Sequence, residues 1–232
     1  AVEESALLAS IHGAYDSFDG SPLSKGIFHF EMFRNRYQDD LHFDWESLRQ
    51  KIKCHGVRNS LFIALMPTAS TSQLLGNVES FEPLTSNFYI RRTNVGEYIV
   101  VNRFLQNILK GTSLWNKEMH EHFIIGKGSI QKIDSIPFRI KTVFRTVFEI
   151  PQKHLIQMAS DRGYFVDQSQ SMNIYVTNPS VELLTKIHFF GWKSGLKTGS
   201  YYVRTRQLTE SQNFSLNAAR EKELQECQNC SS

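Results

Sequence analysis

Long apolar runs are missing from this chain: nothing approaches the roughly eighteen consecutive apolar residues a membrane-crossing helix needs. Cysteine is scarce, with 3 in 232 residues. That is too few for a disulfide framework and points to a reducing compartment, the cytoplasm. Charge of one sign is scarce too: a net +3 is too mild to imply nucleic acid by itself. No Gly-rich nucleotide loop, Gly-x-Ser-x-Gly elbow, His-Glu-x-x-His or internal repeat occurs. The opening Ala1-Val-Glu-Glu-Ser-Ala-Leu-Leu-Ala-Ser-Ile11 has neither an initiator Met nor a basic, apolar secretory signal. It reads as an amphipathic helix already under way, so the chain is expected to be a piece of something longer.

What is present is ordinary globular composition, 41% hydrophobic and 21% charged. Asn59 to Gln73 is the most informative stretch. Ser60 to Met66 has the length and continuous apolar character of a strand buried on both faces. It runs into Pro67, Thr68, Ala69, Ser70 and Thr71, with Pro67 suited to a first helical turn. Such a junction offers backbone N–H groups and a positive dipole end to a phosphate. The same hydroxyls also serve as ordinary helix caps, and local chemistry leaves both readings open.

Ile27 to Phe33 reads as a short strand or an irregular segment. Asp44 caps a helix whose Trp45, Leu48 and Ile52 share a face, and Gly56 stops it. Cys54 on that helix is expected to be partly buried and inert. Gly96 to Val101 is ambiguous between strand and helix start. A helix from Ile140 carries Val143, Phe144 and Val147, then kinks or restarts at Pro151 and ends at Gly163. Phe165–Gln168 and Asn173–Val176 read as extended. Asn178-Pro179 opens a helix with Leu183, Leu184, Ile187 and Trp192 on its apolar side, followed by a strand over Tyr201–Arg204. Strand, helix, strand at this spacing implies a right-handed parallel crossover and an α/β architecture. Residues 207–232, rich in Gln, Asn, Ser and Glu, read as a mobile tail after a domain spanning 1–206.

Three further features invite chemistry. Cys227 and Cys230 form a Cys-x-x-Cys without the second ligand pair that zinc needs, so redox exchange is the favoured reading. His120 and His122 read as solvated surface. Tyr201 and Tyr202, adjacent on a strand, ordinarily point to opposite faces, although at a strand end their rings can meet. Lys186, Lys193, Lys197, Arg204 and Arg206 interleave with Phe189, Phe190 and Trp192, in the manner of a single-strand nucleic-acid surface.

Taken in order, several motifs make this chain resemble the C-terminal third of the large subunit of class I ribonucleotide reductase, of the type found in eukaryotes and large DNA viruses. They are Gly20-Ser-Pro-Leu-Ser-Lys-Gly26, Gly56-Val-Arg-Asn-Ser60, Ala64-Leu-Met-Pro-Thr-Ala-Ser-Thr71, Glu82-Pro83 and Thr85-Ser-Asn87. Gly128-Ser-Ile-Gln131, Asp161-Arg-Gly163, Asp167-Gln-Ser-Gln-Ser171 and Gly195-Leu-Lys-Thr-Gly199-Ser-Tyr-Tyr-Val-Arg-Thr-Arg206 complete the series. Lys127 stands where many relatives carry asparagine.

The resemblance implies the later part of a ten-stranded α/β barrel with a C-terminal βαβ-containing subdomain. It implies that Pro67–Thr71 holds the diphosphate of a ribonucleotide, and that Tyr201 and Tyr202 are a stacked radical-transfer pair. It makes Cys227 and Cys230 the tail dithiol served by thioredoxin or glutaredoxin. The basic, aromatic run becomes core and radical path, with no nucleic acid bound. Implied partners are a small subunit with a di-iron radical centre and a second large subunit; ATP and dNTP effectors would bind regions outside this chain, which itself needs no metal. The family's thiyl cysteine and its oxidisable cysteine pair have no counterpart here, since Cys54 matches none of them. The polypeptide alone is therefore expected to be inactive. The alternative from another class is a non-catalytic nucleotide- or nucleic-acid-binding module.

Overall fold

Helix caps and glycine stops divide the chain much as the sequence predicts, into a mixed α/β structure. A computed structural model describes residues 1–33, 42–93 and 96–206. Its helices are α1 (Val2–His12), α2 (Trp45–His55), α3 (Ala69–Leu74), α4 (Arg103–Gly111), α5 (Lys117–Ile125), α6 (Phe138–Val143), α7 (Gln152–Gly163) and α8 (Val181–Lys193). The strands form two pairs. β1 (Phe88–Thr93) and β2 (Gly96–Val101) are an antiparallel hairpin, while β3 (Asn173–Val176) and β4 (Tyr202–Thr205) run parallel.

In the first packing unit the Asp44 carboxylate accepts from Ser47 N at 2.9 Å, capping α2 as expected. Trp45, Leu48 and Ile52 then pack with Phe28, Ala6 and Val57. Gly56 ends α2 at φ +71°, where a Cβ would lie 2.6 Å from that of Ala14. Two expectations fail here. Cys54 is exposed, because it lies two residues from the buried Ile52 and so on the opposite side of the helix. In α1 the buried residues are Ser5, Ala6 and Ala9, while Leu7 and Ile11 face outward. Small side chains let α1 sit close to its neighbours: Ser5 Oγ donates to Asn59 Oδ1 and accepts from Asn59 N, both at 2.9 Å. Residues 29–32 form a 3₁₀ turn within Ile27–Phe33, not a strand.

The second unit closes around Phe88, Leu105, Leu109, Met119, Phe123 and Ile130. Gly96–Val101 resolves as a strand. Asn87 is the polar knot of this unit. Its Nδ2 donates to Phe144 O at 2.8 Å and Gly128 O at 3.2 Å, and its Oδ1 accepts from Asn102 Nδ2 at 3.0 Å. The sequence's single helix from Ile140 is in fact broken earlier than Pro151. Thr146 N donates to Glu149 Oε2 at 2.7 Å, Glu149 N donates to Thr146 O at 2.9 Å, and Val147 N donates to Leu84 O at 2.9 Å. Those bonds draw the backbone out of helix before Pro151 precedes α7.

The third unit is β3–α8–β4. Ser180 caps α8, and Leu184, Ile187 and Phe190 cover Ile156, Ala159 and Ile174. Leu183 and Trp192, expected on the same side, are exposed, as is Phe189. Gly191 is buried instead, and a Cβ there would lie 3.1 Å from Leu196 Cδ1, so its absence leaves room for Leu196 to fold back against the helix. Phe165–Gln168 forms turns and bends, not a strand.

Candidate functional site

The Ser60–Met66 stretch does not form the doubly buried strand that its composition predicts. Leu61, Ile63 and Met66 are exposed. The stretch runs beside residues 167–171, with Asp167 N donating to Ile63 O at 3.1 Å and Ser171 N donating to Leu65 O at 3.3 Å. Among the described residues no strand pairs with its other edge, and only Phe62 and Leu65 are partly covered, Phe62 against the Phe28–Ile52 cluster. The Asp167 carboxylate reinforces the contact by accepting from Phe62 N at 2.8 Å and Ile63 N at 2.7 Å.

The helix that follows begins two residues later than Pro67. Thr68 N and Oγ1 both donate to Glu79 O, at 3.5 and 3.4 Å, which holds Thr68 half outside the helix. Ser72 N to Thr68 O, at 2.8 Å, is then the first bond of helical spacing. The amides of Ala69, Ser70 and Thr71 precede it and belong to the unpaired first turn. Pro67, Thr68, Ser70 and Thr71 are exposed.

A cavity of about 300 Å³ opens where this segment meets the end of the third unit. Met66, Pro67, Gln168, Ser171, Thr198 and Tyr201 line it. The structure therefore brings Pro67 and Tyr201 to one site, whereas Thr68 to Thr71 do not line that cavity. Tyr201 N donates to Met172 O at 2.7 Å and thereby sets the start of β4 at Tyr202. Strand alternation does not apply to a residue ahead of the strand. The two rings meet with centroids 4.3 Å apart at 62°, edge to face and not parallel, and both are about half exposed. The hydrogen-bonded Tyr202 phenol pushes the Tyr201 phenol above its ordinary pKa. The Arg204 guanidinium lies 5.3 Å from the Tyr202 ring centroid and 4.0 Å from Glu79 Oε1.

Two polar clusters behind this cavity were not singled out from sequence. In one, buried Glu82 accepts from Asn173 N at 3.0 Å, and Arg162 Nε donates to Gln170 Oε1 at 3.2 Å. Burial lowers the Arg162 pKa, opposed by the Glu82 charge. Burial also raises the Tyr175 phenol, and Glu82 adds to that rise. In the other, Lys197 Nζ donates to Val166 O at 2.7 Å, to Asp167 O, and to His29 Nε2 at 2.7 Å. Burial lowers its pKa against the pull of Asp167. Glu82, Asp167 and Lys197 all fall within the quoted motifs, but a motif does not say which of its members turn inward.

The basic, aromatic run is not wholly core. Lys186 pairs with Glu182 at 2.5 Å, Lys197 is drawn inward, and Phe189 and Trp192 stand exposed on α8. His120 packs against the Trp115 ring at 4.4 Å, and His122 lies 3.6 Å from Glu118. Cys227, Cys230 and the remainder of 207–232 lie outside the described residues. Among the described residues no group of three or more His, Cys, Asp and Glu could hold a metal ion, and no helix is long and apolar enough to cross a membrane.

Comparison with known proteins bears directly on this arrangement. The family model described as ribonucleotide reductase, barrel domain, matches residues 1–202. The ribonucleoside-diphosphate reductase large subunit of Plasmodium falciparum (isolate Dd2) is 52% identical over 216 residues, covering 93% of this chain and 27% of that protein. The large subunit of Danio rerio is 48% identical over 225 residues, covering 97% of this chain and 28% of its own length. That of Variola virus is 48% identical over 227 residues, with coverages of 98% and 29%. The chain thus spans under a third of the length of these relatives. Among solved structures, the Actinobacillus ureae class Id ribonucleotide reductase alpha subunit superposes with a TM-score of 0.59 at 32% identity, over 68% of this chain and 29% of that one. With the barrel-domain pattern running from Ala1 to Tyr202, this chain belongs to the ribonucleotide reductase family.

Proposed function

We propose that the chain forms the later part of the catalytic barrel of a ribonucleoside-diphosphate reductase large subunit, with residues 207–232 as its redox tail. The observation that carries this reading is the shared cavity: Pro67 and Tyr201 line it together, and Tyr202 touches Tyr201. In this reading the first-turn amides and the hydroxyls of Thr68, Ser70 and Thr71, with Pro67 and Ala69 shaping the backbone, hold the substrate's diphosphate. Tyr202 receives the radical from a small subunit that carries the di-iron centre, and Tyr201, nearer the cavity, passes it on. Like any tyrosine phenol at neutral pH, that of Tyr201 is protonated, so its oxidation releases a proton together with the electron.

The radical ends on a cysteine supplied by another part of the large subunit, which abstracts the ribose 3′-hydrogen. The 2′-hydroxyl leaves as water, and a cysteine pair supplies two electrons and becomes a disulfide. Cys227 and Cys230 reduce that disulfide by exchange and are reduced in turn by thioredoxin or glutaredoxin, chemistry suited to the cytoplasm. A second large subunit and ATP or dNTP effectors complete the assembly.

The test is made in the full-length large subunit paired with its small subunit. Tyr202→Phe is expected to abolish turnover and leave nucleoside diphosphate binding intact. Weakened binding with normal turnover would remove the radical-path role. Deoxyribonucleotide formation by the purified chain alone would show that the site is more complete than argued here.

A further inference from the structure

Three segments remote in sequence meet at the Lys197 ammonium. Lys197 lies in the loop between α8 and Tyr201, and its acceptors are Val166 O, Asp167 O and His29 Nε2. An ammonium carries three N–H donors, and all three are used. His29 Nδ1 lies 2.8 Å from Tyr164 O, an atom that can only accept, so the ring proton sits on Nδ1 and Nε2 offers its lone pair to Lys197. The residue that supplies one of these carbonyls also reaches across to the other wall. Asp167 Oδ2 accepts from Phe62 N and Ile63 N, at the root of the stretch that ends at Pro67. The loop leading to Tyr201 and the stretch leading to Pro67 are thus fastened to the same short turn.

We infer that Lys197 is a positioning residue: by tying the 195–201 loop to the Val166–Asp167 turn and His29, it sets the separation between the tyrosine pair and the Pro67–Thr71 segment. The inference rests on the proposed function for what that separation is used for. A misplacement of about 1 Å at a reacting group can cost on the order of a hundredfold in rate. His29, Val166, Asp167 and Lys197 do not line the cavity, so the loss of the cluster acts on transfer more than on substrate affinity. Arginine is no substitute, because its planar fork cannot direct three donors to acceptors arranged around a point.

The experiment uses the full-length large subunit with its small subunit. Lys197→Met keeps the stem and removes the donors; it is expected to lower kcat about tenfold or more, with KM for a nucleoside diphosphate changed less than about twofold. His29→Leu should lower kcat in the same direction but by less. His29→Gln, whose amide can donate to Tyr164 O and accept from Lys197, should recover most of that loss. If Lys197→Met does not fold, the two His29 variants decide the matter: recovery by Gln supports the role, and identical behaviour overturns it. An unchanged kcat in a folded Lys197→Met, or a matched rise in KM alone, also overturns it. Tyr202→Phe run in parallel separates the two ideas. Turnover in Tyr202→Phe sinks the underlying reading, whereas a dead Tyr202→Phe beside a fully active Lys197→Met sinks only the positioning role.

Discussion

The unit built from β1, β2, α4 and α5 and the stretch from Ser60 to Leu75 are both rich in apolar residues, yet they treat them in opposite ways. In the first, Leu105, Leu109, Phe123 and Ile130 are fully buried, and Asn87 satisfies the carbonyls that the turns leave inside. In the second, Leu61, Met66 and Leu74 are 52, 71 and 88% exposed. A soluble chain does not ordinarily leave such a series uncovered. The first unit builds a closed core because its inward apolar residues come from adjacent elements that fold over one another, although Ile99, Phe104 and Ile125 on its outer surface stay exposed. The second lies within the stretch that the barrel-domain family model matches, and an element of a barrel needs neighbours on its edges and faces. The relatives are more than three times as long as the matched stretch, which is room for those neighbours.

The sharpest way to break this comparison is to shorten one apolar side chain in each region. Phe123→Ala should destabilise by about 3–5 kcal/mol, because a fully packed ring leaves a cavity. Leu74→Ala in the isolated chain should change stability by less than about 0.5 kcal/mol. Chemical denaturation followed through Trp115, which packs beside Phe123, reports both. Equal losses would mean that the Ser60–Leu75 stretch is covered after all. In a full-length large subunit the two values should move closer together.

A smaller effect probes the polar half of the self-contained unit. Asn87→Ala removes the donor to Phe144 O and the acceptor for Asn102 Nδ2, leaving buried groups unpaired at a cost of about 1–3 kcal/mol. A loss below that range would show that water replaces the amide.

A gain in stability, smaller than the losses at Phe123 and Asn87, sharpens the comparison from the other direction. Lys127 adopts φ +50°, in the left-handed region that disfavours side chains with an ordinary Cβ. Asparagine tolerates that region better. Lys127→Asn should therefore stabilise by up to about 1 kcal/mol, read as a rise in denaturation midpoint. A fall would mean that the lysine side chain holds something the backbone argument omits.

Much of the local structure could be read in advance. Asp44, Gly56, Pro151 and the Asn178-Pro179 pair mark element ends because capping and backbone restriction act within a few residues. The parallel β3–β4 pair follows from a strand–helix–strand spacing that leaves few other routes. The errors share a cause. Composition and spacing place Cys54, Leu183 and Trp192 inward, but which side of a helix turns inward depends on what lies opposite. Ser60–Met66 was placed in a core that this chain does not itself supply. The Ile140 helix was continued through Thr146 because the bonds that break it, to Leu84 and Glu149, come partly from a distant segment.

The candidate site divides in the same way. Pro67–Thr71 and Tyr201–Tyr202 were legible as chemical types and as members of an ordered motif series, and so was the family. Hydrophobic patterning, capping and motif order are properties of neighbours along the chain, and sequence alone determined them. That Pro67 and Tyr201 line one cavity, that the two rings meet edge to face, and that Lys197 turns inward to three acceptors were decided only by tertiary structure. Each depends on segments thirty or more positions apart, or on an angle between rings, and both are set by long-range packing, not by local preference.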